Sequence, residues 1–152
     1  MAGKFWIKPY TVQVDDIDIG GVVYHPNYLK ICERVRNQIF KDSGTSFPAL
    51  WEKKLCYVMA ECHLHFLRPL KLEDVFVTMK VEDMSRSGMR VRHTILDKMP
   101  TEAELTEEER PLTELQSCKF YSVSHLVMVS LETTRPCPTP PELKVAFGFQ
   151  PS

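Results

Sequence analysis

Residues 14–36, VDDIDIGGVVYHPNYLKICERVR, carry the side chains of this chain best suited to acyl chemistry. Asp15, Asp16 and Asp18 lead into Gly20-Gly21, and Tyr24-His25-Pro26-Asn27 follows just ahead of an amphipathic run. That order sets carboxylates and an imidazole beside the positive end of a helix. Backbone N–H groups there have no helical partner and can bind an oxyanion. Attack on an activated acyl carbonyl needs a carboxylate, a donor to the developing oxyanion and a dry channel for the acyl group. Asp18 is the candidate carboxylate; as a plain turn residue it would instead cap the glycine turn. Asp16, two residues away, points to the opposite face of an extended stretch and reads as structural, with Asp15 in solvent. His25 carries an imidazole, the side chain suited to orienting a substrate or exchanging a proton, or it can simply hydrogen-bond at the helix start. Tyr24 reads as packing.

The elements that must position these residues follow from periodicity. Tyr10, Val12 and Val14 alternate as the end of a first strand, with Pro9 near its beginning or on an edge. Gly20 and Gly21 break that pattern. A helix of about 17 residues should start at Pro26 or Asn27, where proline is favoured, and stop at Gly44. Tyr28, Leu29, Ile31, Cys32, Val35, Ile39 and Phe40 form its apolar stripe. Residues 47–53 read as a short helix or turn. From Tyr57 the period becomes two, placing Val58, Ala60, Cys62, Leu64 and Phe66 on one face and Glu61, His63 and His65 on the other. Residues 74–83, 89–98 and 117–132 supply three further strands, the last bent near residues 122–125. Residues 100–115 form an acidic insertion, expected as a solvated loop with at most one helical turn. A proline-rich exit and a short closing helix over 142–149 complete the chain. One long helix followed by consecutive strands predicts an α+β fold in a single domain, its antiparallel sheet wrapped around the helix.

Composition narrows the function classes. The 152 residues are 43% hydrophobic and 26% charged, with a formal net charge of −1. That balance carries no electrostatic footprint for nucleic acid or an anionic membrane. No apolar run reaches the roughly 18 residues of a membrane-spanning helix, so no membrane insertion is expected. The first residues lack an export signal's apolar stretch, so a cytoplasmic location is expected. Five cysteines without a CxxC pair argue for reduced thiols and against a disulfide framework or structural zinc. Cys62, His63 and His65 have no further ligands at suitable spacing, and no metal is expected. Glu33 is best matched to an ion pair with Arg36.

The run DIDIGGVVYHPNYLKICERVR, residues 16–36, resembles the signature of the hotdog-fold thioesterases of the 4-hydroxybenzoyl-CoA thioesterase family. It looks most like the acyl-CoA thioesterase branch encoded with the bacterial Tol-Pal envelope system. Residues 57–96 resemble the family's first hairpins, and residues 124–143 its last strand and proline-rich exit. The resemblance implies a hotdog fold and hydrolysis of acyl-CoA thioesters with no metal or other cofactor, CoA being part of the substrate. It also implies a homodimer or homotetramer with sites between subunits. On the same footing Asp18 is the catalytic carboxylate, as nucleophile or as base for water, with His25 beside it. Gly21, Val22, Tyr24, Pro26 and Asn27 would hold the thioester, its carbonyl polarised by backbone N–H groups around residues 24–27. Arg86 and Arg90 would meet the CoA phosphates. Ile17 and Ile19 depart from the family pattern, which has threonine and a small residue or proline there. Arg86 also stands alone where some members carry several basic residues. An acyl-carrier-protein thioesterase and a non-catalytic acyl-CoA-binding hotdog protein are the alternative readings; a hotdog hydratase or dehydratase lacks its signature.

Overall fold

The computed structural model describes residues 5–151. Its elements in order are β1 (Phe5–Thr11), α1 (His25–Asp42), α2 (Phe47–Glu52), β2 (Leu55–Phe66), β3 (Asp74–Met84), β4 (Gly88–Leu96), α3 (Glu102–Thr106), β5 (Cys118–Ser130) and α4 (Pro141–Ala146). The strands form one antiparallel sheet in the order β1-β3-β4-β5-β2. This is the α+β hotdog arrangement, with α1 as its long helix. From α1, Ile31, Cys32, Val35, Ile39 and Phe40 are buried in one cluster with Val77, Met79, Val91, Ile95, Phe120 and Met128 of the sheet. Each large apolar side chain so buried contributes about 1.5–3 kcal/mol. The helix starts at His25, slightly ahead of the expected residue, because Tyr24 stays extended as its cap and Pro26 occupies the first turn. It stops as expected at Gly44, whose positive φ of 79° lets the Thr45 N–H return to the Phe40 carbonyl.

Three expectations are corrected by tertiary structure. Strand β1 ends at Thr11, and Val14 sits in a 3-10 turn over Val14–Asp16 with its side chain largely in solvent. In β2 the register against β5 shifts between Met59 and Glu61. That bulge reverses the phase of the strand's first half, so Tyr57 is buried and Val58 is exposed. Strand β5 runs as one element through residues 122–125, its register with β4 unbroken from Phe120 to Val127. The acidic insertion is more than a solvated loop. It contains α3 and a 3-10 turn, and it is pinned to the sheet by Glu107, whose carboxylate accepts from Arg92 (2.6 Å), Lys80 (3.0 Å) and the Leu112 N–H (2.8 Å). Leu112 is fully buried beside it.

Asp16 positions the loop before α1. Its carboxylate is buried, 1% of the residue being exposed, and accepts from Tyr10 Oη (2.7 Å), the Gln13 N–H (2.9 Å) and Arg34 (3.0 Å). Its carbonyl accepts from the Tyr24 N–H (3.0 Å) and the Asn27 side-chain amide (2.9 Å). One residue thus joins β1, the loop and α1. Burial alone would raise the pKa of Asp16, but the bonds from Gln13, Tyr10 and Arg34 outweigh it and hold the group below its ordinary value. A depressed native pKa contributes stability that is present above the unfolded value of about 3.9 and lost as pH falls through the native one. Asp16→Ala is expected to cost about 3–5 kcal/mol, since it strands three donors around a buried site. In urea unfolding at pH 7 the variant's midpoint should fall well below wild type, and the gap should narrow below about pH 4. An unchanged midpoint at pH 7 would remove Asp16 from this role.

Candidate active site

The loop between Asp16 and Tyr24 is a short hairpin. An isolated bridge pairs Ile17 with Val23, and the Asp18 N–H donates to the Val22 carbonyl (2.8 Å). At its tip the Gly21 N–H returns to the Asp18 carbonyl (3.0 Å), with Gly21 at a φ of 79°. The Gly20 N–H donates to Asp18 Oδ1 (2.8 Å), and a Cβ at residue 20 would lie only 3.2 Å from that oxygen. The glycine pair therefore lets the Asp18 carboxylate fold over its own turn, with one oxygen bonded and the residue exposed to solvent. Ile19, at the outermost point, is fully exposed.

Two residues further along, the helix terminus opens. Of the backbone N–H groups over residues 24–27, that of Tyr24 is bonded to Asp16 and that of Asn27 to the Tyr24 carbonyl, while Pro26 has none. The N–H of His25 makes no hydrogen bond in the described structure. It is thus the free donor at the positive end of an 18-residue helix. The resemblance implied an oxyanion donor around residues 24–27; of the backbone N–H groups there, that of His25 is the one left unbonded. The His25 imidazole packs on the Tyr24 ring, centroids 4.8 Å apart, and makes no hydrogen bond or ion pair with Asp18. Asn27 turns its amide inward to Asp16, where it holds the loop. Val22 is half-buried and contributes its carbonyl to the Asp18 turn.

Beside His25 lies an open cleft of about 370 Å³ between α1 and the end of β2, reached by Tyr28, Phe66, Leu67 and Arg68. Phe66 and Leu67 are each about half exposed there, and the Tyr28 hydroxyl accepts from the Leu70 N–H (3.1 Å), fixing the chain past the cleft. Arg68 brings a cation to this mouth, and the sequence analysis did not single it out. The signal available was its place directly after an apolar strand end, which by itself marks no site.

Arg86 and Arg90 do not join this group within one chain. They lie at the β3–β4 turn, at the far end of β3 from the helix N-terminus, roughly 30 Å along an 11-residue strand. There Arg90 stands opposite His125 on β5, whose ring covers Gly88 so closely that a Cβ at residue 88 would meet it at 2.6 Å. Glu33 does pair with Arg36, at 3.7 Å. All five cysteines are free thiols, and burial pushes that of Cys32 up to about 12, which keeps it protonated and inert.

The comparisons agree with this architecture. The 1,4-dihydroxy-2-naphthoyl-CoA thioesterase of Synechocystis superposes with a TM-score of 0.77 at 15% identity, covering 94% of this chain and 95% of that one. A Staphylococcus aureus protein solved in complex with CoA superposes with a TM-score of 0.77 at 17% identity, covering 96% and 83%. In sequence, the acyl-CoA thioester hydrolase YbgC of Escherichia coli is 31% identical over 67 residues, which are 44% of this chain and 50% of that protein. A putative esterase of Aquifex aeolicus is 29% identical over 76 residues, 49% and 59% of the two chains. The chain thus spans about half the length of the curated relatives it matches. A family model covers far more, residues 12–147, and includes the Asp16–Tyr24 hairpin, the helix and strands β2 to β5, with β1 lying just ahead of it. By that match the chain belongs to the thioesterase-like superfamily.

Proposed function

We propose that the protein hydrolyses acyl-CoA thioesters to a carboxylic acid and free CoA. The observation that carries this reading is the pairing of two unsatisfied groups on one hairpin and its helix. These are the solvent-facing oxygen of Asp18 on the glycine turn and the unbonded N–H of His25, the latter beside an apolar cleft. The thioester carbonyl would take the His25 N–H, whose donation strengthens as negative charge develops on the oxygen. Asp18 either attacks the carbonyl carbon or takes a proton from the attacking water. In both cases the C–S bond breaks, the CoA sulfur leaves as thiolate and gains a proton, and water supplies the acid's new oxygen. The His25 ring positions the acyl group or relays that proton. The names of YbgC and of the CoA-bound neighbour support CoA esters over acyl-carrier-protein esters. No helix among the described residues is long and apolar enough to cross a membrane, which fits a substrate met in the cytoplasm.

The working unit of this reading is a homodimer. Strand β2 is an edge of the sheet, twelve residues long, and its outer side meets no other strand among the described residues. Such an edge pairs readily with another strand. A second copy joined antiparallel by a two-fold axis would continue the sheet. It would also bring the far end of the partner sheet, with Arg86 and Arg90 of the partner subunit, toward the helix N-terminus and its cleft. That arrangement supplies the phosphate-binding cations a single chain leaves roughly 30 Å away. At the other edge β1 carries Pro9, which withholds a ladder donor.

Three measurements test the reading. Thiol release from short-, medium- and long-chain and aromatic acyl-CoAs should fall about 10²–10⁴-fold in Asp18→Asn, and equal activity in the variant would overturn the role of Asp18. Light scattering should give twice the 17.6 kDa chain mass or a multiple of it; a monomer at working concentration would dismiss the shared site. Arg86→Ala combined with Arg90→Ala should raise KM for acyl-CoA several-fold, by roughly the loss of one or two charge-assisted contacts, with kcat little changed. An unchanged KM would release both arginines from the CoA site.

A further inference from the structure

We infer that the acyl channel ends on Arg36, and that the preferred acyl group is a medium-length chain carrying a neutral oxygen, a hydroxyl or carbonyl, at its far end. The inference rests on the thioesterase reading above.

His25, Leu29, Glu33 and Arg36 recur at spacings of four, four and three, so they form one stripe along α1. The stripe faces the β2 side of the sheet at both ends. The open cleft beside His25 is lined by Phe66 of β2. A second, smaller cavity of about 140 Å³ lies between Leu29, Glu33 and Arg36 of the helix and Tyr57 and Met59 of β2, with Phe47 of α2 across its end. An acyl group entering at His25 and following this stripe arrives at Arg36.

What it meets there is a donor without a partner. The Arg36 side chain is 6% exposed, and its Nη1 makes no hydrogen bond. Its Nη2 has a single long contact, 3.7 Å, to Glu33, which is half in solvent. A guanidinium has five N–H donors and no acceptor, so the free nitrogen is satisfied by an acceptor, which on an acyl chain is an oxygen. Burial drives the pKa of Arg36 down, which reflects the cost of holding the charge there. A well-packed core would not leave this donor bare. Glu33 already supplies negative charge and would repel a carboxylate, which favours a neutral acceptor. The cavity is equivalent to about four or five water volumes, room for the end of a chain but not for a ring system with substituents.

Length follows from the helix. Eleven residues separate His25 from Arg36, about 16 Å of rise, and the arginine side chain leans back toward the N-terminus by several Å. With carbon–carbon bonds of about 1.5 Å in a zigzag, roughly eight to ten carbons bridge the remainder.

The test compares decanoyl-CoA, 10-hydroxydecanoyl-CoA and the ten-carbon dicarboxylic mono-CoA ester on wild type, Arg36→Met and Arg36→Lys. In wild type, kcat/KM should favour the hydroxyacyl ester over decanoyl by about 10- to 100-fold, as for a hydrogen bond to a charged partner. Arg36→Met should erase or reverse that preference, with Arg36→Lys between. A wild-type preference for the plain chain, or a loss in Arg36→Met that is equal for both esters, overturns the inference. Preference for the dicarboxylic ester overturns the neutral-acceptor assignment. Titration calorimetry with the free acids separates this from the parent reading. Tighter binding of 10-hydroxydecanoic than decanoic acid, abolished in Arg36→Met, sustains the pocket even where no thioester is cleaved. Equal or absent binding removes it even where thioesters are cleaved.

Discussion

The loop that carries the candidate chemistry depends on one buried charge. A carboxylate with 1% exposure survives only when its oxygens are bonded, because the alternative is a desolvation cost of several kcal/mol. Asp16 meets that requirement by drawing in three separate parts of the chain: Tyr10 at the end of β1, Gln13 in the turn and Arg34 more than two turns into α1. The same residue's carbonyl then takes up the N–H of Tyr24 and the amide of Asn27. Once these bonds form, the hairpin from Asp16 to Tyr24 has little freedom. Asp18 is held out on the glycine turn, and the His25 N–H is left as the donor at the helix end. Stability and site geometry are therefore the same set of hydrogen bonds.

The sheet is covered unevenly, and the unevenness has a direction. On β3 and β4 the acidic insertion lies down through Glu107, whose pKa is lowered because bonds from Arg92, Leu112 and Lys80 outweigh the effect of burial. Lys80 and Arg92 also stand over the Phe5 ring. An acid placed there joins two cations of the sheet's outer face, of which Arg92 has Glu82 as a second, longer partner at 3.8 Å. Strand β2 has no such cover. It leaves Val58, Met59 and Phe66 exposed on an unpaired edge, which is where a soluble protein normally places protection unless another chain supplies it.

Much of this was legible from residue order, and the rest was not for identifiable reasons. The helix, its stop at Gly44 and the antiparallel strands follow from periodicity that any short window shows. Asp18 and Asp16 are chemically identical in sequence; spacing and the family resemblance separated them, and what buries Asp16 is a tyrosine six residues back and an arginine 18 residues on. The bulge at Met59 and Glu61 has no residue signature, so the alternation of β2 was assigned in the wrong phase over its first half. The insertion looked solvated because its glutamates dominate the composition, while the partners of Glu107 lie 15 and 27 residues away on strands. That the His25 N–H is the one left unbonded required knowing which N–H groups the loop had already used.

The interior carries a second asymmetry. By register, Met79, His93, Ser122 and Leu64 form one row across the inner face of the sheet, and Val81, Val91, Ser124 and Cys62 the next. On β3 the inward residues are Val75, Val77, Met79 and Val81, all fully buried and apolar. The polar atoms collect instead on the β4, β5 and β2 side, near Arg36. His93 belongs to this belt. Burial, then the nearby charge of Arg36, pushes its pKa down to about 3, so the ring stays neutral, with Nδ1 bonded to the Thr78 carbonyl and Nε2 unpartnered. Stability does not explain such a belt, because apolar side chains of the same volume would pack there at lower cost. The belt also lies on one side only, the side where α1 faces the open edge strand and where both cavities along the helix stripe occur. Polar groups confined to the flank beside Arg36 set that side of the helix apart from the β3 flank, where the residues that hold the helix on the sheet are all apolar.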